Sequence, residues 1–283
     1  MKILSYSFII PHHNSPDLLN RCLDSIPQRE DIEIIVVDDN SDADKRPRVS
    51  RPDVRLICID AEHTKGAGRA RNYGLEAATG RWALFIDCDD FYAQDFMKYL
   101  DPYVDSEFEI IIFDAYWNYD ITNKTGKRVL ENRIKNYLAN PHDKSALMWV
   151  KHCTNVCWNK MYRLRYLQDI DVHFEEVPRC NDGWFTHFTC GHTGNVKVIN
   201  QPLYYYVKTQ SGITLHKSSL EDRLQLARTG AHIKRYLESI GAGKCFSPFW
   251  HGFKWTYQQN GLIQSLIIYI YMFYCYKLKS MFI

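Results

Sequence analysis

The 283-residue sequence lacks the cysteine spacing of a zinc site or of a disulfide framework. Its nine cysteines are an odd number and none forms a C-x-x-C pair, so we expect free thiols and a reducing compartment. An excess of charge of one sign is also missing, because 35 basic residues stand against 33 acidic ones. A formal net charge of +2 gives no general attraction to nucleic acid. We therefore predict no nucleic-acid partner.

A signal peptide is not indicated either. The apolar N-terminus runs directly into Pro11-His-His-Asn14, which leaves no adequate hydrophobic region and no small-residue cleavage site. We interpret this segment as a first strand, with His12 and His13 as exposed loop residues.

The first part of the chain alternates short apolar runs with amphipathic stretches. Runs rich in Ile, Val, Leu and Phe predict strands buried on both faces at 5–10, 32–37, 54–59, 82–86 and 110–113. Helices are predicted from Ser15 and over 67–78. Strands and helices that alternate over short links imply an α/β fold, with a Rossmann-like, mostly parallel central sheet flanked by helices.

Beyond this region the pattern changes. Residues 117–150 are polar and poorly periodic, and we interpret them as a loop region or connector. The following segment, to residue 215, is dense in Trp, His, Tyr, Cys and Asn. It predicts helices at 163–168 and 182–190 and strands at 196–199 and 203–207. An amphipathic helix is predicted after it, at 220–240.

Acidic side chains cluster where predicted strands end. Asp87, Asp89 and Asp90 follow one strand, and Asp38 and Asp39 follow another. The carboxyl ends of parallel strands share the edge at which open α/β sheets bind ligands. Crowded carboxylates raise each other's pKa, a cost that a bound divalent cation cancels. For either cluster alone, an acidic turn is the alternative.

Seven segments occur in order along the chain. They are 8–14, 31–41, 66–75, 85–90, 157–162, 181–185 and 201–206. Together they resemble glycosyltransferase family 2, of the bacterial surface-polysaccharide type, over residues 5–215. The resemblance implies a GT-A fold and inverting transfer from a sugar nucleotide. We accordingly predict a catalytic domain at 1–215, with a nucleotide-binding half at 1–116 and an acceptor half at 117–215, and a helical C-terminal extension at 216–283.

Several residues of the first half are predicted to bind a UDP-sugar. A carboxylate at the end of the second strand accepts the imide N–H of uracil, which cytosine lacks. Asp39 is the better candidate and Asp38 the alternative. Backbone groups from Pro11 to Asn14 approach the base. Arg71 matches the Arg of the family's Ala-Arg-Asn pattern, on a helix whose N-terminus favours an anion.

The segment Asp87-Cys88-Asp89 matches the family's D-x-D element. Its hard oxygen ligands suit Mn²⁺ or Mg²⁺ bound to the donor diphosphate. Asp89 is the predicted metal ligand, and Asp87 reaches the ribose or a metal-bound water. Cys88, between them at the nucleotide, is interpreted as a small packing residue. Asp90 is either a supporting group behind the site or the cap of the next helix.

The resemblance also implies a general base. In the family it is the Asp of a Glu-Asp motif ahead of a helix, and Asp182 matches it, with Asn181 where Glu is common. The Glu binds or positions the acceptor, and Asn181 is assigned to the acceptor site. A helix cap, which contributes about 1 kcal/mol, is the alternative for Asp182. Trp158 and Trp184 are predicted to stack on a sugar, with core packing as the alternative, and Lys160 to approach phosphate or acceptor.

The C-terminal region contains no Asp or Glu after Glu238. Residues 261–276 carry no charge and are rich in Ile, Leu and Tyr, but they fall short of the about 20 apolar residues of a transmembrane helix. We predict a helix lying in the surface of an anionic membrane, with Trp250 and Trp255 at the interface. Packing on the catalytic domain or in a homodimer is the alternative. The predicted location is peripheral, on the cytoplasmic face of a bacterial membrane.

These expectations combine into one function. The chain is predicted to be a metal-dependent hexosyl- or N-acetylhexosaminyltransferase that acts on a polyprenyl-diphosphate-linked glycan in the synthesis of O-antigen, capsule or lipooligosaccharide. A nucleotidyltransferase is one alternative, although Pro11 to Asn14 is not the glycine-rich loop that it requires. A non-catalytic sugar-nucleotide-binding protein is the other, and Asn181 is its only hint.

Overall fold

The computed structural model describes residues 4–60, 62, 66–177, 179–208 and 219–277, with the backbone alone for 249–260. The strands within these ranges are β1 Tyr6–His12, β2 Ile32–Asp39, β3 Val54–Ile59, β4 Trp82–Phe85, β5 Phe91–Tyr92, β6 Ile110–Asp120, β7 Thr125–Arg128, β8 Lys160–Arg163 and β9 Val196–Val207. The helices are α1 Pro16–Asp24, α2 Ala67–Ala77, α3 Met97–Leu100, α4 Glu131–Ala139, α5 Lys144–His152, α6 Leu164–Asp169, α7 Gly183–His192, α8 Leu220–Ser239 and α9 Pro248–Lys277.

One mixed sheet organises these elements. Its strand order is β3-β2-β1-β4-β8-β6-β9-β5, and β7 pairs with β6. The first four strands are parallel, in the register Tyr6↔Ile32 and Tyr6↔Trp82. The side chains of β1, β2 and β4 are mostly buried on both faces, and each face of the sheet carries its own apolar core. The edge strand β3 exposes Arg55, Leu56 and Cys58, so the prediction of a strand buried on both faces is wrong there. The α/β class and the parallel pairing of the first strands predicted from the sequence are confirmed.

The second half of the sheet contains both antiparallel and parallel pairs. β8 lies antiparallel between β4 and β6, so β6 runs in the direction of β4, and β9 is parallel to β6. The carboxyl ends of β1, β2, β4, β6 and β9 consequently reach one common edge. Alternation of strands and helices does not predict β8, because its pairing brings together residues far apart in the chain.

The predicted connector at 117–150 is wrong. β6 continues to Asp120 and turns back into β7, and α4 and α5 follow. Periodicity misses these elements because they are short and mostly exposed; α4, for example, buries Ile134 alone. The two strands predicted at 196–199 and 203–207 form the single strand β9, whose pairing with β6 contains register shifts.

The last described segment is helical, as predicted. α8 begins with a capping box formed by Ser219 and Asp222, and α9 packs along it through Ile268, Met272 and Cys275. Gly261, with φ +80°, interrupts α9. No helix within the described ranges is both long and apolar enough to cross a membrane. The predicted boundary at 215/216 and the side chains of Trp250 and Trp255 lie outside the described residues.

Candidate active site

The loops after β1 and β2 are bound to each other. His12 Nε2 accepts the backbone N–H of Ser15 at 3.2 Å, so Nδ1 of the same ring donates to Asp38 Oδ1 at 2.8 Å. Ser41 Oγ donates to the same Asp38 oxygen and accepts the backbone N–H of Asn14 at 2.8 Å. His12 is 1% exposed, so its interpretation as an exposed loop residue is wrong. Asp38 holds the loops together.

Asp39 occupies a different position from Asp38. Its Oδ2 accepts the backbone N–H of Gly66 at 2.8 Å, which ties the end of β2 to the start of α2. Pro11 and Asn14 lie on the neighbouring β1 end, and Asn14 adopts φ +54°. The structure therefore brings the predicted base-binding residues together at the ends of β1 and β2.

Arg71 connects three segments that are distant in the sequence. From α2, its Nη1 donates to Asn181 Oδ1 at 2.7 Å and its Nη2 to Asp87 Oδ1 at 2.5 Å. The guanidinium lies over the ring of Phe174, and the buried Nε has no hydrogen-bond partner among the described residues. Arg71 thus fixes the D-x-D element against the loop that carries Asp182.

Gly68 permits this arrangement. A Cβ at this position would lie 2.1 Å from the carbonyl oxygen of Glu175 and 2.9 Å from Cβ of Asn181. Helix α2 can therefore approach the loop before α7 only with glycine here. In the structure Gly68 packs against the protein backbone at Glu175.

Asp87 and Asp89 form a pair of crowded acids. Burial and, after it, the charge of Asp87 together raise the pKa of Asp89 to about 6. No group of three or more His, Cys, Asp or Glu side chains suited to a metal occurs in the part of the chain that the structure describes. The carboxylate oxygens of Asp87 and Asp89 nevertheless fit a divalent cation whose remaining ligands are phosphate oxygens and water, as is usual for Mg²⁺. Arg21 donates to the backbone oxygen of Asp89 and so fixes the loop.

Asp90 has a supporting role and caps no helix. It is fully buried, and its carboxylate accepts hydrogen bonds from the Tyr204 hydroxyl and the Val207 N–H, both at 2.7 Å. The Tyr204 oxygen in turn accepts the backbone N–H of Asp87 at 3.1 Å. Strand β9 therefore holds the D-x-D loop from behind. Cys88 packs on the apolar core, as interpreted from the sequence.

Asp182 lies at the N-terminus of α7, but its side chain is not used as a cap. Its carboxylate accepts no hydrogen bond from the first turn of this helix. Burial raises the pKa of Asp182 to about 6, partly opposed by the charge of Arg71. A carboxylate that titrates near neutral pH and is not consumed by a structural hydrogen bond is suited to proton transfer.

The predicted acceptor residues have mostly interior contacts. Lys160 is 0% exposed, and its ammonium group donates to the carbonyl of Val156 and to Asn159 Oδ1. Trp158 stacks on Tyr204 with ring centroids 4.6 Å apart, inside the core. Trp184 stacks on His232 of α8 at 4.0 Å. These positions favour the core-packing alternative for both tryptophans and place Lys160 beneath the site.

Sequence reasoning missed three contributors to this site: Arg21, Tyr204 and His12. Arg21 lies outside the recognised segments and acts on a loop that is remote in the sequence, so no local pattern indicates it. His12 belongs to the recognised segment 8–14 but was interpreted as exposed. Tyr204 belongs to the recognised segment 201–206, which was its one available signal.

Comparison with known proteins places this geometry in context. Residues 7–171 match the family model described as glycosyl transferase family 2. The chain is 28% identical over 236 residues to the putative glycosyltransferase EpsH of Bacillus subtilis, with 80% of this chain and 65% of EpsH aligned. It is 29% identical over 154 residues to WfaP of Escherichia coli, a UDP-Glc:alpha-D-GlcNAc-diphosphoundecaprenol beta-1,3-glucosyltransferase, with 53% and 57% aligned. The chain thus spans less than two thirds of either relative.

Two solved structures share the fold. The crystal structure of Staphylococcus aureus TarS 1-349 in complex with UDP-GlcNAc superimposes with a TM-score of 0.69 at 19% identity, covering 94% of this chain and 79% of that one. The mannosyltransferase PcManGT of Pyrobaculum calidifontis, in complex with GDP-Man and Mn²⁺, gives a TM-score of 0.57 at 14% identity, with coverages of 97% and 86%. The GT-A fold expected from the sequence is confirmed.

Proposed function

Because the chain belongs to glycosyl transferase family 2, we propose that it is an inverting glycosyltransferase that takes its sugar from a UDP-sugar. The observation that carries this proposal is the Arg71 bridge. It brings Asp87 of the D-x-D element and Asn181, next to Asp182, into one site. A nucleotide-binding element and a proton acceptor are the two parts that transfer to a hydroxyl requires.

The nucleotide would lie along the ends of β1 and β2. Asp39 accepts the uracil imide N–H, and backbone groups from Pro11 to Asn14 line the base. Support comes from the contacts of Asp38 with His12 and Ser41, which give that carboxylate a structural role between the two loops, and from the position of Asp39 at the start of α2. The complex of TarS with UDP-GlcNAc shows that a protein of this fold binds a UDP-sugar.

Asp89 would hold Mn²⁺ or Mg²⁺, with Asp87 reaching the ribose or a water on the cation. When bound, such an ion neutralises the charge that develops on the departing diphosphate. Arg71 stays paired with Asp87 and keeps that carboxylate in place. Asp182 removes the proton from the acceptor hydroxyl as its oxygen attacks the anomeric carbon. Asp182 does not cap helix α7 with its side chain, and a non-catalytic binding protein would have no use for such a carboxylate at this position.

The acceptor would be a glycan carried on a lipid diphosphate. WfaP is named as a transferase that acts on an acceptor of this kind, alpha-D-GlcNAc-diphosphoundecaprenol. We extend this to the chain as a proposal, with synthesis of a bacterial surface polysaccharide as its setting and a hexose or N-acetylhexosamine as the transferred sugar.

Nucleotide binding tests the donor assignment without knowledge of the acceptor. We expect UDP to bind at least about tenfold more tightly than CDP, because Asp39 would face an unprotonated ring nitrogen in cytosine. Isothermal titration calorimetry with UDP, CDP and GDP in the presence of Mg²⁺ measures this. UDP-sugars that bind should then release UDP when lipid-linked acceptors are added. Equal affinities for the three nucleotides would contradict the base assignment.

The C-terminal helix supports attachment to a membrane surface. Eight large apolar side chains after Gly261 are between 41 and 76% exposed: Leu262, Ile263, Leu266, Ile267, Tyr269, Ile270, Phe273 and Tyr274. The opposite face is buried on α8 through Ile268 and Met272. No acidic residue follows Glu238, and Lys277 ends the helix. We assign this face to an anionic membrane, in which the helix lies parallel to the surface.

Charged substitutions on this face should abolish membrane binding. We expect wild-type protein to float with vesicles that contain phosphatidylglycerol. The double variant Ile263→Glu/Ile270→Glu should bind at least about a hundredfold more weakly, because two isoleucines buried in the membrane contribute several kcal/mol. Vesicle flotation measures the bound fraction.

The matched control is Ile121→Glu/Leu138→Glu, which replaces two equally large side chains that are 42 and 41% exposed elsewhere on the molecule. It should float like the wild type. If the wild type does not float and instead sediments as a dimer that Ile263→Glu/Ile270→Glu dissociates, the face is a dimer contact and the membrane assignment fails.

A further inference from the structure

Two aromatic rings form a stacked pair at the edge of the sheet that carries the candidate site. Trp117 on β6 and Tyr206 on β9 lie with ring centroids 4.4 Å apart and planes 11° apart. Trp117 is 39% exposed, whereas most other large aromatic side chains of this sheet are buried. Stacking on Tyr206 holds this exposed indole in a fixed orientation, as a surface for binding a flat apolar group requires.

The pair is joined to the site by further ring contacts. Trp158 lies 5.8 Å from Tyr206 and 6.2 Å from Trp117, and it stacks on Tyr204 at 4.6 Å. The Tyr204 hydroxyl is hydrogen-bonded to Asp87 and Asp90. A series of packed rings thus runs from the D-x-D loop to Trp117 and fixes the orientation of the exposed indole.

The position of the pair in the sheet indicates what it binds. The proposed nucleotide residues lie at the ends of β1 and β2, and the diphosphate residues at the end of β4. Strands β6 and β9 stand on the other side of β4. A nucleotide that runs from β2 to β4 leaves the region beyond β4 for the group that receives the sugar.

We infer that Trp117, backed by the ring of Tyr206, forms the platform on which a pyranose ring of the acceptor glycan stacks. The faces of aromatic rings carry negative electrostatic potential and attract the slightly positive C–H groups on the apolar face of a pyranose. This inference rests on the proposed transferase function and adds acceptor-binding residues to it. Trp117 takes the role that the sequence assigned to Trp158 and Trp184, both of which have interior contacts.

Sugar binding can be measured without turnover. The probes are methyl glycosides of glucose, galactose, mannose and N-acetylglucosamine, with UDP and Mg²⁺ present, observed by saturation-transfer difference NMR. We expect at least one of them to receive saturation at its ring protons in the wild type. Trp117→Ala should lower this signal at least threefold, Trp117→Phe should retain part of it, and calorimetric UDP binding should stay unchanged in both.

Trp149→Ala is the matched control, because Trp149 is also partly exposed but packs against Arg133 of α4. It should leave the sugar signal at the wild-type level. The inference is overturned if no methyl glycoside gives a signal with the wild type, or if Trp117→Ala keeps the full signal. If the wild type does not bind UDP, the proposed transferase function fails instead, so the two failures are distinguishable.

Discussion

Replacing Asp182 by Asn should lower the rate of sugar transfer by about a thousandfold and leave UDP binding unchanged. The amide has the shape of the carboxylate but cannot take a proton, and a positioned general base contributes about 10²- to 10⁴-fold to a rate. The helix should remain intact, because Asp182 makes no side-chain capping hydrogen bond in the first turn of α7. UDP release in the presence of acceptor measures the rate, and calorimetry measures nucleotide binding.

Asp171→Asn serves as the control, because Asp171 is exposed and has a φ of +47°, which Asn also adopts readily. A second readout is the pH profile. Burial raises the pKa of Asp182 to about 6, so the fraction of deprotonated base, and with it kcat/KM, should fall as the pH drops below about 6. Unchanged turnover in Asp182→Asn would remove this residue from the mechanism.

Removing the cation should have an effect of similar size. EDTA should abolish transfer by the wild type, and Mn²⁺ or Mg²⁺ should restore it. Asp89→Ala should lose about a thousandfold in rate and should not recover at ordinary cation concentrations, since a divalent cation supplies several kcal/mol of stabilisation to the leaving group. UDP release with and without added cation measures both effects.

Asp105→Ala is the control for this experiment, since Asp105 is highly exposed and pairs with Arg81 on the surface. It should respond to EDTA and to added cation like the wild type. Transfer that survives EDTA, together with a small effect of Asp89→Ala, would show that the reaction needs no divalent cation and that Asp89 has another role.

The proposed nucleotide-binding half, residues 1–116, was the part of the fold that the sequence predicted best. Strands such as Ile32–Asp39 occur where the apolar runs predicted them, because strands buried on both faces require continuous hydrophobic sequence. Turns and caps then follow from local residues. The acids at the ends of β2 and β4 could be placed at one edge because parallel strands share a direction.

The proposed acceptor half, residues 117–215, was less predictable for a physical reason. Its strands pair with partners far away in the chain, as β8 does with both β4 and β6. A polar hairpin strand such as Thr125–Arg128 carries no hydrophobic alternation. The exposed Trp117 owes its orientation to Tyr206, which lies on a different strand of the sheet, so its sequence neighbourhood alone gives no sign of a ligand surface.

The Arg71 bridge also sets the electrostatic balance of the site. Asn181 is neutral, so Arg71 has a single carboxylate, Asp87, as its charged hydrogen-bond partner. The resemblance to the family would place Glu at this position, which would add one negative charge beside Asp182. With Asn181, the site therefore repels the diphosphate of a nucleotide less strongly than it would with Glu. For the same reason it attracts a divalent cation less strongly. Affinity for the nucleotide should consequently depend less on the concentration of divalent ion than it would in an Asn181→Glu variant.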